Sequence, residues 1–304
     1  MNPQIPGVDG TFHKFVKISL FCLQTNRILT ASFYILDDQT TASDARLVIE
    51  IGVHSIAYLV INEHNHCIAL AIYFIKDDPN QEKACSLLTE MAIEHPVFNK
   101  LFTRITIVYS NAHSTLVPAE FRQPANILPH IELLHGSMSD MSVREDHIGS
   151  LDVFNIYGVN KRIEATVSYL FKADRSVHLY SLLPQIASSD GDKLYCVFSN
   201  NQFTALLVKS GQLQIIQTFF FKAPLDAVYH LLQLCQSFAV QPVEIPLELN
   251  GMIDESSVLY QELYKYFGHI SFSRLPEKFT YPKGMQAYPE HYFSNLFAIA
   301  ACES

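Results

Sequence analysis

Apolar positions follow the same pattern in two stretches of this chain, residues 47–75 and residues 194–221. Each stretch has three apolar segments, the first two separated by a short turn and the last two by a polar turn. The stretches align without a gap as far as Glu63 and Ser210. Short apolar runs bounded by turn residues predict buried strands. The pattern therefore predicts two copies of one unit, each beginning with three antiparallel strands.

A helix and a further strand are predicted after each triplet of strands. Pro79 marks a helix start, and apolar residues at helical spacing predict a helix over 82–94. In the second copy, the same spacing predicts a helix over 225–238, and a strand follows at 243–249. Strands that alternate with helices are typical of α/β folds. The chain is therefore expected to be a duplicated α/β domain with a cleft between the halves.

Small polar residues at 188–192 predict the boundary between the two domains. The first domain is then residues 1–190 and the second is residues 191–280. The remaining residues, 281–304, form a loop rich in Tyr and Pro and a terminal helix, which is predicted to return to the first domain.

The first 46 residues are less regular than the rest of the chain. Apolar segments at 15–23 and 28–36 predict either two extra strands or an N-terminal extension. The first 15 residues lack a basic segment followed by a long apolar run, so no secretory signal is expected.

Composition narrows the class of protein. The 304 residues are 49% hydrophobic and 17% charged, which is typical of an ordered globular protein. The net charge of −9, without a Lys/Arg-rich segment, disfavours nucleic acid as a partner. The six cysteines form no CxxC pair, and no apolar run reaches the ~18–20 residues of a membrane span. These features predict a reduced, soluble, cytoplasmic protein with no membrane span.

The predicted order of elements occurs twice: three antiparallel strands, helix, strand, helix, strand. It resembles the actin-like ATPase fold, in which two ribonuclease-H-like domains with mixed five-stranded sheets flank a central cleft. Specific segments resemble one uncharacterised bacterial family, domain of unknown function 3822. The resemblance covers residues 47–303 and implies a fold but no particular activity. The segments that carry it are residues 114–118, 177–178, 248–254, 259–260, 266–267 and 302–303.

The resemblance places a first phosphate-binding turn at residues 50–55. Actin-like ATPases usually have Asp-x-Gly there, because Gly lets backbone N–H groups approach a phosphate and Asp organises the metal with its waters. Here Glu50 stands at the Asp position, Gly52 is retained, and Ser55 can donate a hydrogen bond to a phosphate. The longer Glu50 side chain would crowd a metal–water shell suited to Asp.

The second and third elements of such a cleft are less complete. In the second turn, apolar Val197 takes the acidic position and the polar residues are Asn200 and Asn201, a composition that also forms ordinary turns. Asn250 and Gly251 stand where a Gly-Gly turn usually lies against adenine, and Asn-Gly is a common turn dipeptide. No cofactor is predicted, although Mg-ATP is the ligand that this cleft would take. The candidate nucleotide-binding residues are Glu50, Gly52, Ser55, Asn200, Asn201, Asn250 and Gly251.

Other chemistry is weakly represented. His64 and His66 alternate beside a cysteine, but they belong to a polar hairpin turn, so no metal site is predicted. No nucleophile motif occurs, and no catalytic residue is predicted. Glu244 and Glu248 alternate along a strand and are interpreted as its wetter face rather than as an acid–base pair.

We therefore expect a non-enzymatic scaffold or protein-interaction module with degenerate phosphate turns and an unknown protein partner. The alternative is a nucleotide-binding switch or weak ATPase that uses the interdomain cleft. A sugar kinase is a third possibility, but its catalytic Asp would have to be Asp190 or Asp192, which precede the strand.

Overall fold

The computed structural model describes residues 31–37, 44–75, 79–187 and 191–302. The strand predicted at 15–23 lies outside these residues. The first half of the chain contains, in order, β1 (Phe33–Leu36), β2 (Ala45–Gly52), β3 (Ser55–Ile61), β4 (Cys67–Phe74), α1 (Gln81–Glu94), β5 (Phe102–Ser110), β6 (Ser114–Pro118), α2 (Ile127–His135), β7 (Met141–Ile148), β8 (Val153–Asn160), α3 (Lys161–Leu170), β9 (Arg175–His178) and α4 (Leu179–Ile186).

The second half repeats the strand–helix order of the first. In the sequence, the polar residues at 188–192 separate α4 from the first strand of the second half, and residues 188–190 are outside the described ranges. The elements are β10 (Lys193–Phe198), β11 (Gln202–Lys209), β12 (Gln212–Phe220), α5 (Pro224–Ser237), β13 (Pro246–Gly251), α6 (Val258–Tyr264), β14 (His269–Phe272) and α7 (His291–Cys302).

The two main sheets share one topology, which confirms the duplicated α/β fold. The second sheet has the strand order β12-β11-β10-β13-β14, and the first contains β4-β3-β2-β5-β9 in the equivalent positions. In both, the first three strands are antiparallel and the last two run parallel to the central strand. The first sheet has six strands rather than the expected five, because β1 pairs with the edge strand β4. Ile35 at 5% exposure anchors this added strand to the core.

A third sheet, in the order β6-β8-β7, is inserted between β5 and α3. The helix α2 packs on it through Ile131, which is fully buried. Sequence analysis gives no assignment for residues 131–144, where the structure has the end of α2 and the start of β7. Apolar and polar residues do not alternate along the whole of β7, so its sequence does not predict a strand.

The main core lies between the two large sheets and is filled by α4 and α7. It contains side chains from both sheets, including Val48 and Val108 of the first and Tyr195 and Leu206 of the second. Buried residues lie on all sides of the helix α7, which is typical of a helix inside a core. This helix, which is predicted to return to the first domain, contacts β3 of the first sheet and β13 of the second. No helix within the described residues is long and apolar enough to cross a membrane.

Candidate functional site

The two predicted phosphate turns occupy equivalent positions in the two large sheets. Glu50 on β2 lies between Ala57 of β3 and Val108 of β5. Val197 on β10 lies between Thr204 of β11 and Asn250 of β13. Side chains alternate along a strand, and the neighbour Val48 belongs to the core between the sheets, so Glu50 also faces the second domain.

Glu50 is held by the first sheet itself. Burial raises the pKa of its carboxyl, and a hydrogen bond from the Ser110 side chain partly lowers it again. Gly52 pairs with Ser110 at the end of the same two strands. A Cβ on Gly52 would lie 3.0 Å from the Ser110 hydroxyl and 3.3 Å from the carbonyl oxygen of Ser55. The three predicted residues of this turn therefore lie together, and the hydroxyl that serves Glu50 comes from Ser110.

The second turn lies across the cleft from the first. Asn200 is exposed, and the carbonyl of Asn201 accepts a hydrogen bond from the Phe221 N–H at 3.0 Å. His54 of the first turn and Asn201 of the second line one cleft of about 670 Å³, together with Lys222 and Asp226. The His54 ring meets the Phe220 ring edge-on at 6.2 Å. Within the described residues, the buried atoms Ser199 Oγ and Gln202 Oε1, which flank Asn200 and Asn201 in the sequence, have no hydrogen-bond partner.

Asn250 is committed to contacts within the protein. Its side chain is fully buried, and its Nδ2 donates to Ser273 Oγ at 2.6 Å. Its Oδ1 accepts a hydrogen bond from Ser294 of α7, and Ser273 donates in turn to Glu248. The Lys193 ammonium lies 3.4 Å from the same Glu248 carboxylate. The network therefore joins the second sheet to the terminal helix through the Asn250 amide.

Gly251 has a left-handed backbone, with φ at +76°, and is the last residue of β13 rather than part of a free turn. A Cβ on Gly251 would lie 2.1 Å from the carbonyl oxygen of Phe198, closer than any real contact. The same Phe198 carbonyl accepts a hydrogen bond from the Met252 N–H at 2.9 Å. The glycine is therefore required by the packing of β13 against the end of β10.

The predicted nucleotide-binding residues do not line one common cavity, as the positions of four of them show. Gly52 lines a small cavity of about 190 Å³ on the far side of the first turn, bordered by Asn80 and His113. Asn201 lines the larger cleft beside His54. Asn250 and Gly251 face β10 and α7, as described above.

Comparison with known proteins agrees with this architecture. The sequence model of the family described as Protein of unknown function (DUF3822) matches residues 37–270, which include all the strands from β2 to β13. The chain belongs to the DUF3822 family. No curated protein has a sequence significantly similar to it.

Solved structures resemble this DUF3822 chain in fold. A Bacteroides thetaiotaomicron VPI-5482 protein, described as having an actin-like ATPase fold and unknown function, superposes with a TM-score of 0.70 at 17% identity, over 88% of this chain and 99% of its own. The PilM-PilN type IV pilus biogenesis complex gives a TM-score of 0.55 at 13% identity, over 84% of this chain and 96% of the other. These likenesses show the actin-like ATPase fold that the sequence pattern predicts.

The sequence did not indicate a buried polar network that joins the inserted sheet to β9 of the first large sheet. His178, fully buried, lies with Nδ1 3.2 Å from Ser114 Oγ and Nε2 3.0 Å from the carbonyl oxygen of Asn111. Ser114 donates to Asn155 Oδ1 at 2.6 Å, and Asp146 accepts from the His178 N–H at 2.9 Å. Burial lowers the pKa of His178 to about 3, with the Asn111 carbonyl acting in the opposite direction. The sequence signal was the Val177-His178 pair, which sequence analysis used only for the family resemblance.

The remaining candidates have structural partners. His66 pairs with Asp37 at 2.6 Å, and His64 is exposed beside Glu63. No group of three or more His, Cys, Asp or Glu able to hold a metal ion occurs in the described ranges. Burial raises the pKa of the Cys235 thiol to about 11 and that of Cys196 well above its usual value. Such thiols are poor nucleophiles.

Proposed function

We propose that this protein is a non-enzymatic scaffold that binds another protein, and that its interdomain cleft does not hydrolyse nucleotide. The main support is that the Asn250 side chain is hydrogen-bonded within the protein. An amide that is fully buried, donates to Ser273 and accepts from Ser294 is not exposed to a nucleotide. Admitting adenine at Gly251 would require moving α7, whose buried side chains fill the core between the sheets.

The two phosphate turns support the same conclusion. Charge at Glu50 is disfavoured by its burial, whereas an ATPase needs an ionised carboxylate to organise a metal ion and its waters. The equivalent position of the second sheet is Val197, which offers no ligand. A fold can persist without the chemistry of its relatives, because function belongs to the site rather than to the fold. A chain of this fold is part of the PilM-PilN type IV pilus biogenesis complex, so the shape is compatible with assembly.

Two measurements on the purified full chain test the proposal. Phosphate release from Mg-ATP is expected to equal that of a buffer blank. Affinity capture from the source cell is expected to recover the same partner with and without Mg-ATP. Phosphate release that disappears in Glu50→Gln would overturn the proposal, as would capture that requires nucleotide.

A nucleotide-binding switch is the second candidate, favoured by the cleft between the turns. That cleft joins His54 to Asn201 and carries the Lys222 ammonium, which can pair with a phosphate. The Ser199 hydroxyl, two residues before Asn201, has no hydrogen-bond partner among the described residues. Equilibrium binding of a fluorescent ATP analogue, weakened in Lys222→Met but unchanged in the exposed control Lys265→Met, would favour the switch over the scaffold.

A further inference from the structure

A cleft of about 530 Å³ separates the inserted sheet from the second domain, and its two long walls are strand edges. One wall is β6, an edge strand of the three-stranded sheet, and the other is β12, an edge strand of the second large sheet. Consecutive residues line the cleft on both strands, 114–116 on one side and 214–218 on the other. Since successive side chains point to opposite faces of a strand, consecutive lining residues mean that the cleft meets each strand at its edge.

The pairing register shows which backbone groups of β12 face the cleft. The N–H of Phe221 donates a hydrogen bond to the carbonyl of Asn201, so these two residues form a hydrogen-bonded pair. From this pair along β12, opposite residues alternate between non-hydrogen-bonded and hydrogen-bonded pairs. Thr218 and Ile216 then belong to the non-hydrogen-bonded pairs, opposite Thr204 and Leu206. Their N–H and C=O groups point away from β11, toward the open edge.

The backbone groups of β6 that face the cleft follow from its pairing with β8. The N–H of Gly158 bonds to the carbonyl of His113, so Ser114 and Leu116 belong to the non-hydrogen-bonded pairs with β8. The Ser114 carbonyl does point outward, because His135 Nε2 lies 3.2 Å from it. Leu116 lies two residues further along and directs its N–H and C=O to the same side.

The floor of the cleft is fixed and its lining is uncharged. Tyr180 of α4 donates a hydrogen bond to Thr218 Oγ1 at 2.8 Å, which ties β12 to the first domain. The described side chains that line the cleft are apolar, hydroxyl, amide or imidazole, and none of these described residues is Asp, Glu, Lys or Arg. An occupant with charged side chains at this depth would lose hydration without gaining an opposite charge.

We propose that the cleft accepts one extended, uncharged segment of a partner protein, which pairs with Leu116 of β6 on one side and with Ile216 and Thr218 of β12 on the other. This binding mode rests on the proposed scaffold function and specifies its partner surface. Strand addition supplies backbone hydrogen bonds, and the pockets beside each edge select alternate side chains. A helix cannot use either wall, because its backbone groups are already paired within it.

The probe is a phage-displayed library of random 12-residue peptides selected on the full chain, from which the strongest binder is synthesised. The selected peptides are expected to share an uncharged core of β-branched and apolar residues. On binding, amide hydrogen exchange is expected to slow at Leu116, Ile216 and Thr218. This readout uses the unchanged protein, so it does not depend on the folding of a variant.

Two pairs of variants separate side-chain from backbone effects. Gln217 is exposed and lines the cleft, and Gln212 is exposed on the same strand but does not line it. Gln217→Glu should weaken peptide binding about tenfold by placing a charge in the filled cleft, and Gln212→Glu should change it less than twofold. Leu116→Pro, which deletes the outward N–H, should weaken binding more than Leu116→Ala, which keeps it.

Each alternative outcome has a meaning. Failure to select any binder, charged consensus sequences, or equal effects of Gln217→Glu and Gln212→Glu would overturn the strand-addition mode. A concentration-dependent dimer of the chain alone that Gln217→Glu dissociates would assign the cleft to a second copy and also overturn it. Any of these results leaves the scaffold proposal standing, whereas phosphate release from Mg-ATP removes the scaffold proposal without altering the peptide result.

Discussion

Ser294, on the terminal helix, donates a hydrogen bond to the side-chain oxygen of Asn250, 44 residues earlier at the end of a strand. Both residues are buried, Asn250 completely and Ser294 at 2% exposure. This contact lies at the position where the family resemblance places a nucleotide base. It therefore connects the stability of the fold to the proposed loss of nucleotide chemistry.

Removing the Asn250 amide should destabilise the protein. Asn250→Ala deletes a donor and an acceptor in a buried network, and each unsatisfied group costs about 1–3 kcal/mol. We expect the free energy of unfolding in urea to fall by about 2–3 kcal/mol. Asn200→Ala, a matched change at an exposed turn asparagine, should stay within about 0.5 kcal/mol of the parent.

A double-mutant cycle isolates the contact to the helix. Ser294→Ala combined with Asn250→Ala should destabilise the protein by less than the sum of the single changes, with a coupling of about 1 kcal/mol. Strict additivity would show that the two side chains act independently, contrary to the hydrogen bond between them.

Substitution of Gly251 and of Gly136 by alanine separates the cost of a steric clash from the cost of backbone strain. Both have a left-handed backbone, with φ at +76° and +77°, but only Gly251 has a neighbour in the path of a Cβ. Gly136→Ala should cost about 1–3 kcal/mol from strain alone, because its ψ of −162° lies in a region that essentially only glycine adopts. Gly251→Ala should cost at least 2 kcal/mol more than that, because Phe198 must move. Equal losses in thermal unfolding would contradict the close approach of β13 and β10.

His178 should make stability depend on pH. Its pKa in the folded protein is about 3, below the ordinary value of 6.5, so the unfolded chain binds one more proton between these values. The free energy of unfolding should therefore decrease as pH falls from 6.5 toward 3, by about 1.4 kcal/mol per pH unit from this residue.

The variant His178→Asn isolates that contribution. It should be less stable than the parent at pH 8, because the contacts to Ser114 and Asn111 are altered. Between pH 6.5 and pH 3 its free energy of unfolding should decline less steeply than that of the parent, because the unfolded variant no longer takes up the proton that binds to His178. An unchanged slope in urea unfolding across that range would show that the imidazole is protonated in the folded protein.

Tyr180 should hold the floor of the β6–β12 cleft. Tyr180→Phe removes the hydrogen bond to Thr218 and is expected to cost about 1 kcal/mol. Amide exchange along β12 should accelerate with it. Tyr169→Phe, at a side chain that is 85% exposed, is the matched control and should change neither quantity.

The sequence predicted those parts of the fold that depend on local apolar patterning. The runs that form β2, β3 and β4 and their counterparts β10, β11 and β12 were identifiable because buried strands are continuous and apolar. The inserted sheet was not, since the middle of β7, residues 144–147, is polar. The strand expected at 243–249 forms instead as β13 (Pro246–Gly251), which ends on the predicted turn.

The character of the candidate site depends on distant residues and was less predictable. The resemblance located Glu50, Gly52 and Ser55 in one turn, and the structure places them together. The partners of Asn250 lie 23 and 44 residues away, and no local pattern indicates them. The opposition of β6 and β12 likewise arises from strands that are almost 100 residues apart, brought together only by tertiary packing.

Thermal unfolding of the purified chain with Mg-ATP, Mg-ADP and Mg-GTP in millimolar excess tests the central claim most directly, with Mg²⁺ alone as the control. A ligand at ~100 times its dissociation constant stabilises the native state by ~2.7 kcal/mol, which raises the midpoint by several degrees. The scaffold account predicts a midpoint within about 1 °C of the control for all three nucleotides. A rise of several degrees with any of them, lost in Gly52→Val, would contradict it.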